Sequence, residues 1–324
     1  MSFPLAEWID AHPDVPHHLS HSGMLRSLRT LGRALRDRPE PDPEALRESL
    51  GRLYGVPAAR VFLSHGASEA NALVLQYHAR SLSRSTGRAP RLYTPRPEYP
   101  PIPDAGRLLG FRPVASPDSA DLVACSAPRN PEGTRRTPSE IERWAGEGRA
   151  LLVDQTFREF TDDPAWTRRG LERLWLTGSF TKIYGADALR VGYAIAPEPD
   201  RDAFAELHGL LLNKIPDHSI TGARAILAHR EAILAEARAL FRRNVDALRS
   251  TIEGVPPLAA PVWFDRGRAG LDGDRLAQAA LRAGVLVCAG SFFGEPRGVR
   301  ICLTRRSFPA DLAAYERVRA RFLE

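Results

Sequence analysis

Of forty-five basic side chains in this sequence only two are lysines, Lys182 and Lys214. Arginine supplies charge or a hydrogen-bond fork equally well, but it does not shed a proton to become an amine nucleophile. A lysine kept in a chain that otherwise uses arginine is a candidate for amine chemistry such as Schiff-base formation. Lys182 lies in Gly178-Ser179-Phe180-Thr181-Lys182-Ile183-Tyr184-Gly185, a polar loop between two apolar runs, and Arg190 follows eight residues later.

Three further sites share that position at the end of an apolar run. His65-Gly66-Ala67-Ser68-Glu69 sits where a β-rich run gives way to a helical pattern. Free N–H groups at a helix start, reached past small residues, accept an anion, although Ser68 alone also reads as an ordinary N-cap. Ser126-Ala127-Pro128-Arg129-Asn130-Pro131-Glu132-Gly133 reads as a turn, from which Asn130 can offer its amide to a phenolate-like oxygen. Asp154 is the first acid after Leu151-Leu152-Val153. Such an acid often only caps a helix, but beside a pyridine nitrogen it keeps that nitrogen protonated and lets the ring accept electrons.

The elements that must carry these residues alternate. Apolar runs fall at 61–64, 91–94, 122–125, 151–154, 174–177 and 191–196, and helical patterns over 68–83, 139–147 and 200–212 separate most of them. This predicts an α/β fold with a mostly parallel sheet covered on both faces, whose ligands gather beyond the carboxyl ends of the strands. After Pro216 a long helical stretch over 220–252 breaks near Arg230. Strands over 261–264, 285–288 and 299–303 follow, with helices over 273–282 and 310–322. Three parts are expected: an N-terminal arm and helix over 1–40, a large domain over 41–215, and a small α+β domain over 216–324.

In order and spacing, these motifs resemble the aminotransferase class I and II family of pyridoxal-phosphate enzymes, with members similar to histidinol-phosphate aminotransferase and threonine-phosphate decarboxylase. The likeness runs over roughly residues 40–305, from Tyr54-Gly55-Val56-Pro57 to Val299-Arg300-Ile301. It implies the fold-type I architecture, with a mostly parallel seven-stranded sheet in the large domain, and pyridoxal 5'-phosphate as cofactor. It implies that Lys182 forms the Schiff base and moves the Cα proton, that Asp154 pairs with the ring nitrogen, and that Asn130 bonds the ring oxygen. Ala67, Ser68, Ser179 and Arg190 would hold the phosphate, Tyr99 would stack on the ring, and Arg300 would clamp the substrate carboxylate. The implied reaction moves an amino group between an α-amino acid and a 2-oxo acid, in a homodimer. Phe157 stands where many relatives have a tyrosine, as in threonine-phosphate decarboxylase-like members, so a decarboxylase, lyase or cyclising enzyme is the alternative. A cofactor-binding sensor is a third reading, against which residues 1–40 offer no DNA-binding module. No arginine occurs in Gly284-Val285-Leu286-Val287-Cys288-Ala289-Gly290, where relatives acting on phosphorylated substrates carry one, which favours a free carboxylate.

The bulk properties narrow the rest. With 324 residues, 43% hydrophobic and 26% charged, the chain has the composition of a globular protein. No run of eighteen apolar residues predicts a membrane span, the first residues lack a signal-peptide layout, and a cytoplasmic location is expected. The net charge of +6 is spread among interleaved acids, without the basic stripe that a nucleic-acid partner needs. Cys125, Cys288 and Cys302 are far apart and read as buried free thiols. His12, His17, His18 and His21 lack a metal-ligand spacing, so no metal is expected.

Overall fold

The computed structural model describes residues 3–24, 27–145, 149–163, 166, 171–212, 214–267 and 271–323. In chain order the first part gives α1 (Pro4–Asp10), β1 (His17–His18), α2 (Arg29–Ala34), α3 (Pro43–Tyr54), β2 (Val61–Ser64) and α4 (Ala67–Thr86). Then come β3 (Arg91–Tyr93), α5 (Pro101–Leu108), β4 (Arg112–Pro113), β5 (Leu122–Ser126), α6 (Pro138–Ala145), β6 (Ala150–Asp154), β7 (Leu174–Ser179) and β8 (Gly192–Ile195). After α7 (Arg201–Leu211), α8 (Asp217–Ala228) and α9 (Arg230–Thr251) follow β9 (Val262–Asp265) and α10 (Gly273–Arg282). The chain closes with β10 (Val285–Leu286), β11 (Cys288–Ala289), β12 (Val299–Cys302) and α11 (Phe308–Leu323).

Seven strands form one sheet in the order β2-β8-β7-β6-β5-β3-β4, parallel except for β8, which runs antiparallel to both neighbours. Side chains alternate across the sheet. Val123, Cys125, Leu151, Val153 and Leu176 therefore enter one core, and Leu122, Ala124, Leu152 and Trp175 enter another beneath α4 and α7. Burial on both faces explains why these strands are continuous apolar runs in the sequence. The strand 112–113, too short and too exposed to leave an apolar signature, was not foreseen.

The second sheet has three antiparallel strands in the order β11-β12-β9. The expected single strand over 285–288 is two short ones, because the chain leaves β1 as partner at Leu286 and joins β12 from Cys288. The break expected near Arg230 falls at His229, between α8 and α9. The helix expected over 139–147 is α6, and its anticipated end at Glu147 lies outside the described residues. The N-terminal arm is not a plain extended segment: it opens with α1 and pairs His17–His18 in parallel with Val285–Leu286. Leu19 and Met24 are fully buried in the same core as Ile301 and Leu303, which fixes the arm against the second sheet.

Candidate active site

Four carboxyl-end segments of the large sheet converge with the start of α4. Gly66 caps that helix at φ 111° and provides no side-chain cap, so the first-turn N–H groups remain free for an anion. Ser68 thus stands inside the first turn and is not the N-cap. A Cβ on Gly192 would come within 2.4 Å of the Gly66 carbonyl carbon, so only glycine lets β8 pass this close. Arg190, in the left-handed region at φ 48°, donates from Nη2 to the His65 carbonyl at 3.0 Å.

Asp154 ends β6 and is 5% exposed. Its Oδ2 accepts from Asn71 Nδ2 (2.8 Å) and its Oδ1 from Thr156 N (2.9 Å). The Asn71 amide is itself oriented by Thr177 Oγ1, which donates to its Oδ1 at 2.6 Å. Asn130 N donates to Ser126 Oγ (2.9 Å), and Asn130 Oδ1 accepts from Arg300 Nη1 (3.2 Å). That contact leaves the Nδ2 end of the amide for the cavity.

Lys182 follows β7, and its carbonyl accepts from Met24 N at 2.8 Å, tying the loop to the N-terminal arm. Burial, followed by the nearby Arg300 cation, pushes its amine down to about 8; Cys302 and Asp154 oppose that shift and Arg190 adds to it. At neutral pH roughly a tenth of this amine is therefore unprotonated, far more than for a free lysine. The imidazole of His21 is also pushed down, by partial burial first and then by His18 and the cations Lys182, Arg300 and Arg305.

Lys182, Ala67, Ser68, Tyr99, Asn130, Asp154, Ser179 and Arg190 all line one cavity of about 250 Å³. Arg300 stands one step behind that wall. It is 2% exposed and reaches the cavity through Asn130. Its Nη2 donates to Ser20 O (3.0 Å) and to Cys288 Sγ (3.4 Å), its guanidinium lies 4.8 Å from the Phe293 ring centre, and its Nε has no partner among the described residues. The cavity wall also contains Phe3, Ser126, Pro128, Thr156, Phe157 and Thr181, which the sequence reading did not select as ligand-holding residues. Asn71 could have been found: it is a polar residue among Ala70, Leu73, Val74 and Leu75 on the buried stripe of α4. Phe3 carried no such signal, since it is a lone aromatic residue far from every motif.

The donor set fits a pyridine aldehyde that carries a phosphate. The lining includes the start of α4, the residues Ser68, Ser179 and Thr181 and a guanidinium, together with an amine, a carboxylate and an amide. Thr156 Oγ1, of a residue also in the wall, is buried without a partner among the described residues.

Comparison with known proteins identifies the family. The sequence model of the family described as Aminotransferase class I and II matches residues 2–307. A capreomycidine synthase from Streptomyces vinaceus is 28% identical, over 92% of this chain and 88% of that protein. A histidinol-phosphate aminotransferase from Natronomonas pharaonis is 28% identical, over 83% of this chain and 80% of its own length. The crystal structure of a PLP-dependent aminotransferase from Streptococcus suis superimposes with a TM-score of 0.81 over 100% of this chain and 97% of that one. At 19% identity, the last comparison carries the fold alone.

Proposed function

The chain belongs to the aminotransferase class I and II family, and from that premise we propose a pyridoxal-phosphate-dependent aminotransferase that moves an amino group between an α-amino acid and a 2-oxo acid. The observation that carries this reading is the convergence of Lys182, Asp154, Asn130 and the start of α4 on one cavity. When bound, pyridoxal phosphate supplies an aldehyde for imine formation and a ring that takes up the electron pair left at Cα.

The chain's own residues provide the rest. The first turn of α4, with Ser68, Ser179 and Arg190, binds the phosphate. Asp154, held as an acceptor by Asn71 and Thr156, keeps a proton on the ring nitrogen. Asn130 turns Nδ2 toward the ring oxygen because its Oδ1 is committed to Arg300. Phe157 closes the same side without a hydroxyl, so the ring oxygen loses one donor that a tyrosine would give. Lys182, with its lowered affinity for protons, serves as attachment point and then carries the proton at Cα. Arg300 orients the substrate carboxylate, exchanging one of its present contacts for it. Arg297 pairs with Glu295, Arg306 with Glu236 and Ser27 O, and Arg305 lies 3.9 Å from Asp311, while the lack of an arginine over 284–290 supports a substrate recognised by its free carboxylate. A homodimer in the cytoplasm is the assembly and location we infer from the family likeness; among the described residues no helix is long and apolar enough to cross a membrane.

An absorption spectrum of the purified protein with pyridoxal phosphate tests this reading. A Lys182-dependent visible band is expected, which an amino acid bleaches with release of a 2-oxo acid. A band unchanged in Lys182→Ala would end the proposal. The relative that matches 92% of the chain bears the name of a synthase, and Phe157 lacks the usual hydroxyl. These two observations favour a second reading, cyclisation or decarboxylation on the same cofactor. Product analysis separates the two: carbon dioxide or a cyclic amine, with the band restored, would replace transamination.

A further inference from the structure

Glu98 is a buried carboxylate to which the chemistry above gives no role. At 2% exposure it accepts from Tyr99 N (2.8 Å), Ser126 N (3.0 Å), Ser126 Oγ (2.5 Å) and Arg136 Nη2 (3.1 Å). Arg136, itself 4% exposed, also donates from Nε to Ser126 O (2.7 Å) and from Nη1 to Glu140 (3.1 Å). Removing such a carboxylate from water is costly unless every lone pair finds a donor. Balancing Arg136 would take one contact. Three of the four donors instead belong to Tyr99 and Ser126, which line the cavity.

The network continues toward the chemistry. A serine hydroxyl has one proton, and Ser126 gives it to Glu98, so its lone pairs are left to accept Asn130 N–H at 2.9 Å. Asn130 Oδ1 then accepts from Arg300 Nη1. On the functional reading above, Asn130 touches the cofactor ring and Arg300 touches the substrate. We propose that Glu98 is a positioning residue: through the Ser126 hydroxyl it fixes the Asn130 peptide, and through Asn130 the Arg300 guanidinium, so that the ring contact and the carboxylate contact are set together. The proposal rests on the pyridoxal-phosphate reading and adds to it a residue that touches neither ligand.

A glutamine at position 98 would present an NH2 to a site built wholly of donors. Ser126 would have to turn, and Asn130 would lose its anchor. The test loads wild type, Glu98→Gln, Ser126→Ala and the double variant with pyridoxal phosphate. It measures the cofactor dissociation constant, the pH midpoint of the bound cofactor's visible band, and KM against kcat for the amino acid that bleaches it. Each single variant is expected to weaken cofactor binding and raise KM by about tenfold. Each should also move the midpoint by about half a pH unit, because the ring oxygen loses an oriented donor. The double variant should be no worse than the worse single one, as for residues acting in series. An unmoved midpoint with only a lower melting temperature, or fully additive losses, would overturn the proposal and leave Glu98 as a structural partner of Arg136. Should Glu98→Gln fail to fold, Ser126→Ala decides alone, since it leaves the Glu98–Arg136 pair in place. A wild type without a Lys182-dependent band sinks the functional reading; a normal wild type with silent variants sinks only the role of Glu98.

Discussion

The two walls of the cavity are built by opposite means. On the side of the large sheet, Ser126, Asp154 and Ser179 each end a strand of the same sheet, and strand register sets Ser126 beside Asp154 and Asp154 beside Thr177, two residues before Ser179. On the other side the ties that join the arm to the second sheet are long-range. Arg300 Nη2 reaches Ser20 O across 280 positions, Cys302 N donates to Leu19 O, and Trp8 Nε1 donates to Val287 O. The wall assigned to the cofactor is therefore a property of one sheet, whereas the wall assigned to the substrate is assembled from the two ends of the sequence. Changes to the second can alter what is bound while leaving the first intact, and the sharpest variants are those that strike one wall alone.

Lys182→Ala is expected to give the largest loss, because its loop joins both walls and it acts as nucleophile and base. Turnover should fall by roughly 10²- to 10⁴-fold, with cofactor still retained through the phosphate contacts; a variant of near-normal kcat would contradict the assignment. Arg300→Gln comes next and should fall mainly on the substrate side, with a smaller effect passed to the cofactor through Asn130. Removing one member of a buried, hydrogen-bonded charge contact costs about 2–5 kcal/mol, or roughly 30- to 5000-fold in kcat/KM for the amino acid. Equilibrium cofactor binding should fall less, through the loss of the donor that turns the Asn130 amide. An equal loss in both would mean that the two walls are not separable.

How far each wall could be read from the sequence follows the same division. Lys182, Asp154 and Asn130 were legible because each closes an apolar run that a parallel sheet buries on both faces, and the carboxyl ends of such strands face one crevice. Asn71 supports Asp154 from the buried stripe of a helix, where the pattern of the sequence signals packing and no ligand. Arg300 was found only by its likeness to a family segment, and its place behind Asn130 depends on a pairing with the N-terminal arm that no periodicity announces. Glu98 was invisible: in Pro97-Glu98-Tyr99-Pro100 an acid reads as exposed loop, and only the fold folds it under Ser126.

The pH dependence of cofactor capture links the walls. Lys182 sits at about 8, chiefly through burial and then through Arg300. Capture of pyridoxal phosphate by the cofactor-free protein should rise about tenfold per pH unit up to that value and then level off, following the neutral amine. Arg300→Gln should move the midpoint upward and Asp154→Asn downward, since one removes a cation and the other an anion. Stability has a matching sign. The folded-state value lies below the ordinary 10.5, so stability is lost as pH falls from about 10.5 to about 8 and is flat below. Lys182→Met should therefore stabilise the cofactor-free protein at pH 7 more than at pH 10. Equal effects at both would show an amine that is not depressed.

The smallest effect should come from Phe3, and it is the cleanest probe of the wall made from the chain ends. Phe3 lines the cavity and meets Tyr99 edge to face, with ring centres 6.4 Å apart. The helix behind it is held from the second sheet's side: Leu5 packs with Cys288 and Phe293, and Trp8 donates to Val287 O at 2.8 Å. Phe3→Ala leaves the Trp8 hydrogen bond in place and removes a ring that lies over Tyr99 and packs at the edge of the Leu5–Cys288–Phe293 cluster. An aromatic pair of this kind is worth ~0.5–1.5 kcal/mol, so KM for the amino acid should rise by about two- to twelvefold. The cofactor dissociation constant should stay within about a factor of two, because nothing that holds the phosphate or ring nitrogen moves. If cofactor affinity falls in step with KM, Phe3 supports Tyr99 over the ring and belongs with the first wall. If neither changes, α1 covers the crevice without contributing to recognition.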